Sequence, residues 1–462
     1  MQRYGARAVV IGASLAGLCA ARVLSDCYAE VTLYERDDLP DEPANRAAVP
    51  QGRHVHLLMA RGAMEFDGLF PGLLDDMKAA GVPVLENRPD CIHFGAAGHV
   101  LGTKATLRDE FTAYVPSRPH LEWQIRRRTL AIPNVELVRC GVAEPRFDPV
   151  QGRVTGVLLD GDDGSNAVPA DLVVDATGRG TRLPAWLGQW GFPRPADDTI
   201  DVGIGYATHQ IRIPDGLLKE KVVVAGASRN QPLGLGMLCY EDGTWGLTTF
   251  GTGKVAPPQN FDEMCALADE ILPPHVSAAV RQGKPIGDVA FHKYPASRWR
   301  RYDKLNRFPQ GIIPFGDAVV SFNPTYGQGM TMTSLQAGNL RTVLQSGTDD
   351  LAARLATATA KTTYPVWTMN AIGDLAFHNA GGEAPRWHML VGNLFDQFLG
   401  AAEADPVLAE WFLRRFSLLD SLYMVPSVRL VGRTIRHNAR LWLAERRTRP
   451  TTELIRPGLR AR

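Results

Sequence analysis

The feature that most constrains the fold is the stretch from residue 7 to residue 35. Residues 7–11 have the composition of a buried strand, and residues 12–17, Gly-Ala-Ser-Leu-Ala-Gly, turn into a helix that continues to about Leu24. Residues 31–35 form a second apolar strand that ends in an acid. This order of strand, glycine-containing turn, helix and acidic strand end predicts a dinucleotide-binding βαβ unit.

Four residues of this unit have predicted roles. Gly12 permits the tight turn, and Gly17 lets the helix pack closely on the strand. Glu35 is placed to bind a ribose diol. Ser14 stands where the fingerprint has its middle glycine, and its small side chain still allows a ligand to approach the backbone.

A second glycine-containing stretch spans residues 312–330. An apolar strand runs into Gly316 and Asp317, and Pro324, Gly327 and Gly329 lead into a helix predicted to begin near Thr331. Such a crossing brings backbone N–H groups and the positive end of a helix close to a ligand. Asp317 is either a ligand-binding acid or a helix cap, because Asp is common in such loops.

The pattern of the remaining chain predicts an α/β fold with three parts. These are a Rossmann-like dinucleotide-binding domain (1–198 and 301–345), an inserted antiparallel-sheet domain (199–300) and a C-terminal helical region (346–462). Predicted elements outside the two glycine stretches are a helix over 60–80, a hairpin around 95–98, an antiparallel meander over 135–174, strands over 200–213 and 221–225, a hairpin over 237–250, and helices over 331–345, 349–380, 386–400 and 406–445.

Composition narrows the possible partners. A formal charge of +1 implies no polyanionic partner, so we expect no nucleic-acid binding. Six cysteines without CxxC spacing predict reduced thiols in a cytoplasmic protein, and there is no leader pattern, no metal motif and no apolar run long enough for a membrane span. The arginine-rich C-terminus, from Arg433 to Arg462, either touches an acidic surface or is a solvated helix and tail.

Together with residues 50–56 (Pro-Gln-Gly-Arg-His-Val-His), the helix that begins at Arg118, and residues 170–180, these motifs carry a family resemblance. The chain resembles the single-component flavoprotein monooxygenases of the para-hydroxybenzoate hydroxylase type. Within them it looks most like the squalene-epoxidase-like branch and the bacterial polyether epoxidases. The resemblance covers residues 1 to about 345 and implies bound FAD.

The resemblance implies roles for individual residues. Glu35 would bind the adenosine ribose, Arg118 would lie by the pyrophosphate and Asp317 would bind the ribityl chain. The full set of implied cofactor-binding residues is Gly12, Ser14, Gly17, Glu35, Arg36, Arg46, Arg118, Asp317, Gly327, Gly329 and Met330. Pro324 would lie against the flavin where oxygen adds. His54 and His56 fall in a flavin-side loop and are candidates for catalytic contacts, although isolated histidines are often structural.

The reaction that the resemblance implies is transfer of one oxygen atom from a flavin C4a-hydroperoxide to an apolar polyketide or terpenoid substrate, by epoxidation or hydroxylation. Residues expected to wall an apolar pocket, each of which also suits an ordinary core, are Met237, Leu238, Tyr240, Trp245 and Phe250. Thr177-Gly178 replaces the family's Asp-Gly motif, so NADH or NADPH would supply electrons directly or through a separate reductase.

Three observations keep other functions in view. The Trp-x-Trp-x-Ile-Pro motif of flavin-dependent halogenases is absent, which argues against chlorination. Geranylgeranyl reductases share the fold and a Gly-Asp stretch, so a flavin-dependent reductase of isoprenoid double bonds is an alternative. A non-catalytic flavin- or ligand-binding protein is a third. The sequence does not indicate an oligomeric state.

Overall fold

A computed structural model describes residues 3–46, 49–86, 91–102, 112–161, 166–228, 230–377, 386–420 and 426–448. The strands are β1 Gly5–Ile11, β2 Tyr28–Glu35, β3 Val84–Glu86, β4 Ile92–Ala96, β5 His99–Val100, β6 Thr112–Tyr114, β7 Val135–Arg139, β8 Val142–Asp148, β9 Arg153–Leu159, β10 Ala167–Pro169, β11 Leu172–Asp175, β12 Asp197–Arg212, β13 Val222–Ala225, β14 Leu233–Cys239, β15 Trp245–Gly251, β16 Lys284–Arg300, β17 Ile312–Pro314 and β18 Val320–Ser321. The helices are α1 Leu15–Ser25, α2 Ala60–Leu69, α3 Leu73–Ala79, α4 Arg118–Leu130, α5 Leu183–Gln189, α6 Phe261–Ile271, α7 Pro274–Arg281, α8 Gly329–Leu344, α9 Leu351–Phe377, α10 Arg386–Ala402, α11 Pro406–Phe416 and α12 Val428–Thr448.

A parallel sheet forms the centre of the first part of the fold. Within the described ranges its strand order is β17-β11-β1-β2-β7, and every neighbouring pair is parallel. Strand β1 is apolar at consecutive positions because both faces of the sheet are covered. Ala8 and Val10 pack in the cluster that contains α1 and α8, whereas Val9 and Ile11 pack with Val157 and Trp186.

The predicted meander over 135–174 is divided between two sheets. Strands β8, β9 and β10 form a small antiparallel sheet, whereas β7 and β11, at the two ends of that stretch, belong to the parallel sheet. Short apolar runs carry no signal for their partner strand, which explains the difference. The predicted helix over 60–80 is likewise two helices, α2 and α3, because the chain turns at Gly72 with a φ of +80°.

A large, mostly antiparallel sheet forms the second part. Its order in the described residues is β18-β16-β12-β15-β14-β13-β4-β5. One face packs on α6 and α7. Strands β14 and β15 form the predicted hairpin, and β4 and β5 form the hairpin predicted around residues 95–98. That second hairpin joins the sheet through parallel pairing of β4 with β13, so residues 92–100 extend the sheet beyond the predicted insertion.

The C-terminal part is helical, as predicted. Helix α8 begins at Gly329, two residues before the predicted start at Thr331. The predicted helix over 406–445 is divided into α11 and α12, and residues 421–425 between them lie outside the described ranges. The predicted fold class, a Rossmann-like domain with an antiparallel sheet and C-terminal helices, is confirmed. All six cysteines lie in described ranges, and none of them forms a disulfide bond.

Candidate active site

The first glycine turn has the steric demands that its sequence predicts. Gly12 has a φ of +97°, and a Cβ there would lie 2.9 Å from the carbonyl oxygen of Ala176. A Cβ on Gly17 would lie 1.8 Å from the carbonyl oxygen of Gly12. Neither position accepts a side chain without movement of the backbone. The turn therefore keeps β1 and α1 in close contact, and no side chain at Gly12 or Gly17 covers its backbone.

Glu35 lies buried at the end of β2, beside this turn. Its Oε2 atom accepts a hydrogen bond of 2.9 Å from the Ala13 N–H, and its Oε1 atom accepts one of 3.1 Å from the Asp37 N–H. Arg46 Nη1 lies 3.6 Å from Oε2. Arg36 follows Glu35 in the chain and is exposed to solvent. The carboxylate is thus held at the sheet edge where a ribose would be bound.

A buried carboxylate that the sequence did not single out connects the predicted arginines. Glu122 of α4 accepts a 2.5 Å hydrogen bond from Arg46 Nη2 and lies 3.5 Å from Arg118 Nη2 and 3.2 Å from Ser14 Oγ. Arg118 and Glu122 are four residues apart on one helix, and this spacing was the available signal. The structure therefore brings Ser14, Arg46 and Arg118 together around Glu122.

The second glycine turn lies at the end of β17, which β11 separates from β1 in the parallel sheet. Gly316 has a φ of +66°, and its N–H donates a 2.9 Å hydrogen bond to Oε1 of Gln336 in α8. Arg300 is buried, and its guanidinium donates to the carbonyl oxygens of Asp317, Ala318 and Arg179. Sequence reasoning missed Gln336 and Arg300. Both fix this turn to other parts of the chain.

The Asp317 carboxyl group is half-buried in this turn. Burial raises its pKa above the usual value, and the guanidinium groups of Arg118, Arg179 and Arg300 offset part of that rise. No hydrogen bond from another described residue reaches its side-chain oxygens. A carboxylate in this position gains from hydroxyl donors on a bound ligand.

Helix α8 presents its N-terminus on the same side of the fold. The first helical hydrogen bond runs from the Met332 N–H to the Gln328 carbonyl oxygen, so the N–H groups of residues 329–331 precede it. A Cβ on Gly329 would meet nothing within 4 Å. Gly327 has a φ of +66° and ends the short turn before the helix. An anionic ligand edge is favoured at such a terminus.

The turn that carries Pro324 is fixed by a buried acid. Asp374 of α9 accepts hydrogen bonds from the Asn323 side-chain amide, at 2.7 Å, and from the Tyr326 hydroxyl, at 3.0 Å. The Asn323 side chain in turn accepts one from the Thr325 N–H, at 3.0 Å. Nothing in the sequence pattern of α9 pointed to this role. Asp374 holds the backbone on both sides of Pro324, which itself remains exposed.

An apolar cavity of about 230 Å³ adjoins this turn. Pro324, Gly327, His54 and His56 all line it, so the structure brings the three predicted catalytic residues to one place. Apolar walls come from the large sheet, from residues 55–59 and from the C-terminal helices. A mostly apolar cavity with a few polar groups is typical of a small-molecule site.

The face of the sheet that lines the cavity differs from the predicted one. Phe250 lines the cavity, but Met237 and Trp245 lie on the opposite face, in the core formed with α6 and α7. Tyr240 lines a separate cleft of about 350 Å³. These three residues correct the predicted pocket wall. Because both faces of β14 and β15 are covered, both are apolar and alternation could not identify the cavity side.

Small residues make room on the cavity face. Gly236 and Leu238 of β14 face the cavity, and Gly236 pairs in register with Thr248 of β15. Gly236 and Thr248 leave space that larger side chains on this face would fill. The glycines of β14 were visible in the sequence, but only the sheet register shows which face they are on.

The roof of the cavity comes from the C-terminal helices. Phe395 of α10 and Phe412 and Phe416 of α11 line it, together with Phe94 of β4. The ring centroids of Phe94 and Phe416 are 5.2 Å apart, and those of Phe412 and Phe416 are 5.6 Å apart. The helices were predicted without a role. The spacing of four between Phe412 and Phe416 was the signal for a shared face.

Both candidate histidines are held in hydrogen bonds. His54 Nδ1 lies 2.7 Å from Thr208 Oγ1, which lies 2.6 Å from Thr248 Oγ1. His56 Nε2 donates a 2.6 Å hydrogen bond to the Gln51 carbonyl oxygen. Burial lowers the pKa of His54 to about 4 and that of His56 to about 3, with nearby cationic groups adding to the effect. Both imidazoles are therefore neutral near pH 7.

The lowered pKa of His54 predicts an acid-sensitive fold. Between pH 6.5 and pH 4 the unfolded chain binds a proton at this residue and the folded chain does not, so stability rises with pH in this window. Relative to His54→Gln, the wild-type protein is expected to lose about 2 kcal/mol more stability between pH 7 and pH 5. Urea unfolding at several pH values measures this. An equal pH dependence in the two proteins would contradict a buried neutral His54.

Two kinds of site are not found among the described residues. No group of three or more histidine, cysteine, aspartate or glutamate side chains there is arranged to hold a metal ion. Among those same residues, no helix combines the length and apolar character needed to cross a membrane.

Two known proteins resemble this chain over most of its length. Crystallised p-nitrophenol 4-monooxygenase PnpA from Pseudomonas putida DLL-E4 superposes with a TM-score of 0.64 at 16% identity, over 91% of this chain and 100% of that one. Kynurenine 3-monooxygenase of Salinispora arenicola is 26% identical over 437 residues, 90% of this chain and 87% of that protein. The fold is thus that of the flavin-dependent monooxygenases.

A nearer relative defines the family. Protein Rv3254 of Mycobacterium tuberculosis is 70% identical over 453 residues, which is 96% of each chain. The family model described as the Mycobacterium Rv3254 C-terminal domain matches residues 382–448. This chain therefore belongs to the Rv3254 family.

Proposed function

We propose that this chain is an FAD-dependent monooxygenase that inserts one oxygen atom from O2 into an apolar small molecule, by epoxidation or hydroxylation. The observation that carries the proposal is the apolar cavity beside Pro324 and the N-terminus of α8. The names of its relatives, a kynurenine 3-monooxygenase and a p-nitrophenol 4-monooxygenase, support an oxygenase. We take the substrate to be a polyketide or terpenoid of secondary metabolism, because the cavity offers few polar partners.

The residues present fit FAD. Buried N–H groups of Arg46 and Arg118, including both Nε atoms, have no hydrogen-bond acceptor among the residues that the structure describes. Unsatisfied guanidinium donors are costly, and a pyrophosphate beside them would supply acceptors. Glu35 would hold the adenosine ribose and Asp317 the ribityl chain. The N–H groups of residues 329–331 would face the flavin ring.

The chemistry that FAD supplies when bound is acceptance of electrons and activation of dioxygen. One oxygen atom enters the substrate, the other leaves as water, and NADH or NADPH supplies the electrons directly or through a separate reductase. The chain's own residues would place Pro324 beside the bound FAD, and Phe94, Phe250 and the roof phenylalanines would keep water out of the cavity. Exclusion of water from such a site prevents hydrolysis and other side reactions of reactive intermediates.

Neutral His54 and His56 add positioned polar groups to this apolar space. Near pH 7 neither imidazole carries charge, so each acts through a hydrogen bond and not as a cation. His54 is tied to Thr208 and His56 to Gln51, which leaves one ring nitrogen on each for a ligand. We assign them to orienting the substrate.

Anaerobic reduction followed by oxygenation tests the proposal. Purified protein with FAD is first reduced by NADH, NADPH or dithionite. Isotopically labelled O2 is then admitted with candidate polyenes and aromatics, and mass spectrometry identifies the products. We expect one labelled oxygen atom in the product. Failure to bind FAD would overturn the proposal. Saturation of an isoprenoid double bond without oxygen uptake would instead assign a reductase, and ligand binding without turnover would assign a non-catalytic carrier.

A further inference from the structure

Helix α12 carries an apolar stripe that is exposed to solvent. Val428, Val431 and Ile435 follow one another at spacings of three and four residues, which places them on one side of a helix. Their exposed fractions range from 44% to 90%. A surface helix of a globular protein normally buries its apolar stripe against the core. In α12 that stripe is left in solvent.

The side of α12 that contacts the body makes both apolar and polar contacts. Leu430 packs against the core cluster that contains residues of α10 and α11. Arg433 donates hydrogen bonds of 2.7 and 2.8 Å to the Asp405 carboxylate, and the Asn438 side chain donates one of 3.2 Å to the Gln397 carbonyl oxygen. These pairs also fix the direction of the helix. Arg433 contacts Asp405, just after the end of α10, and Asn438 contacts Gln397, within α10. Residue numbers therefore rise along α12 as they fall toward α10, so the two helices are antiparallel.

Helix α10 extends the exposed apolar surface. Leu390 and Leu394 are each 62% exposed. The antiparallel arrangement places them toward the end of α12 that carries Trp442. We call these two leucines, together with Val428, Val431 and Ile435, the α12 face. Phe395 of the same helix α10 lines the cavity, so α12 itself lies one helix away from the cavity roof.

The charge of the segment that carries α12 is mostly positive. Arg429, Arg436 and Arg440 are exposed at the flank of the apolar stripe. Residues 428–462 contain ten arginines and two glutamates, a net charge of +8. The whole chain carries +1, so the remaining residues carry −7. Positive charge is thus concentrated in the segment that exposes the apolar stripe.

We propose that the α12 face docks on an anionic lipid surface. An amphipathic helix with arginines beside an apolar face is suited to lie in the headgroup region of a bilayer. A second copy of the chain is a poorer occupant. A symmetric contact through α12 would bring two arginine-rich segments together, and their repulsion would oppose it. Attachment of this kind needs no membrane span and suits the predicted cytoplasmic location.

Vesicle binding by the full-length protein tests the proposal, whatever reaction the enzyme performs. We expect the protein to co-sediment with vesicles of phosphatidylglycerol and phosphatidylcholine, and less at high salt. Replacing Arg436 and Arg440 by glutamine is expected to lower the partition coefficient about tenfold or more. Replacing Val431 and Ile435 by serine is expected to reduce binding at least as much, because the apolar insertion is lost.

Val150→Ser is the matched control. Val150 is exposed in the turn between β8 and β9, far along the chain from α12, so this change should leave vesicle binding unaltered. All substituted positions are exposed, and circular dichroism verifies that the variants fold. Absence of binding to anionic vesicles would overturn the proposal. So would light scattering that shows a dimer which the Val431 and Ile435 replacements dissociate, since the face would then belong to a second copy.

Discussion

The Asp317→Ala protein is expected to bind FAD about 10- to 100-fold more weakly than the wild-type protein. Asp317 presents a half-buried carboxylate in the turn between β17 and β18, and the ribityl hydroxyls are its proposed donors. Loss of a charged acceptor from such a pair removes a strong hydrogen bond and leaves the hydroxyls unsatisfied. Titration of apoprotein with FAD, followed by quenching of flavin fluorescence, measures the dissociation constant.

Asp288→Ala provides the control for this change. Asp288 is exposed in β16, so the same loss of one negative charge occurs away from the proposed site. We expect its affinity for FAD to equal that of the wild-type protein. Full flavin occupancy of the Asp317→Ala protein at submicromolar FAD would remove Asp317 from the ribityl site.

The Gly236→Leu protein is expected to lose roughly 100-fold or more in kcat/KM for the apolar substrate, because one added methylene already changes fit in a hydrophobic pocket by about 10- to 200-fold. A Cβ at Gly236 meets only Val55, at 3.8 Å, so a side chain can be added there without a backbone clash. The leucine would then occupy the cavity. Steady-state kinetics on the product identified by mass spectrometry measures the effect.

The neighbouring residue in the same strand supplies the matched control. Leu235 lies on the opposite face of β14, in the core with α6 and α7, and Leu235→Met conserves its volume. This variant should keep wild-type kinetics. Affinity for FAD should be unchanged in both variants. Unaltered substrate kinetics in the Gly236→Leu protein would show that substrate does not occupy this cavity.

The sequence identified the elements whose demands are local. Gly12, Gly17 and Gly316 are required by positive φ angles or close approach, and such requirements leave a spacing that can be recognised. Contacts between distant segments leave no comparable trace. Glu122, Arg300 and Asp374 act on residues far away in the chain, and only the folded arrangement shows their partners.

The cavity wall was the least predictable part of the site. Alternation in a strand reveals a buried face only when the other face meets water. Strands β14 and β15 are covered on both sides, so Met237 and Trp245 looked as suitable as Leu238 and Phe250. The cavity roof was equally hard to predict, because helical periodicity identifies an apolar face but not the surface against which that face packs.

The cavity roof and the two glycine turns come from different parts of the chain, so substitutions in the roof differ in their effect from substitutions in the turns. The glycine turns at residues 12–17 and 316–318 carry the steric demands of the proposed flavin site and tolerate little variation. Phe395, Phe412 and Phe416 line the cavity from residues 382–448, the segment that matches the Mycobacterium Rv3254 C-terminal domain. Replacements among these rings reshape the space above Pro324 without touching either turn. Substrate preference can therefore diverge among relatives while the redox machinery stays constant.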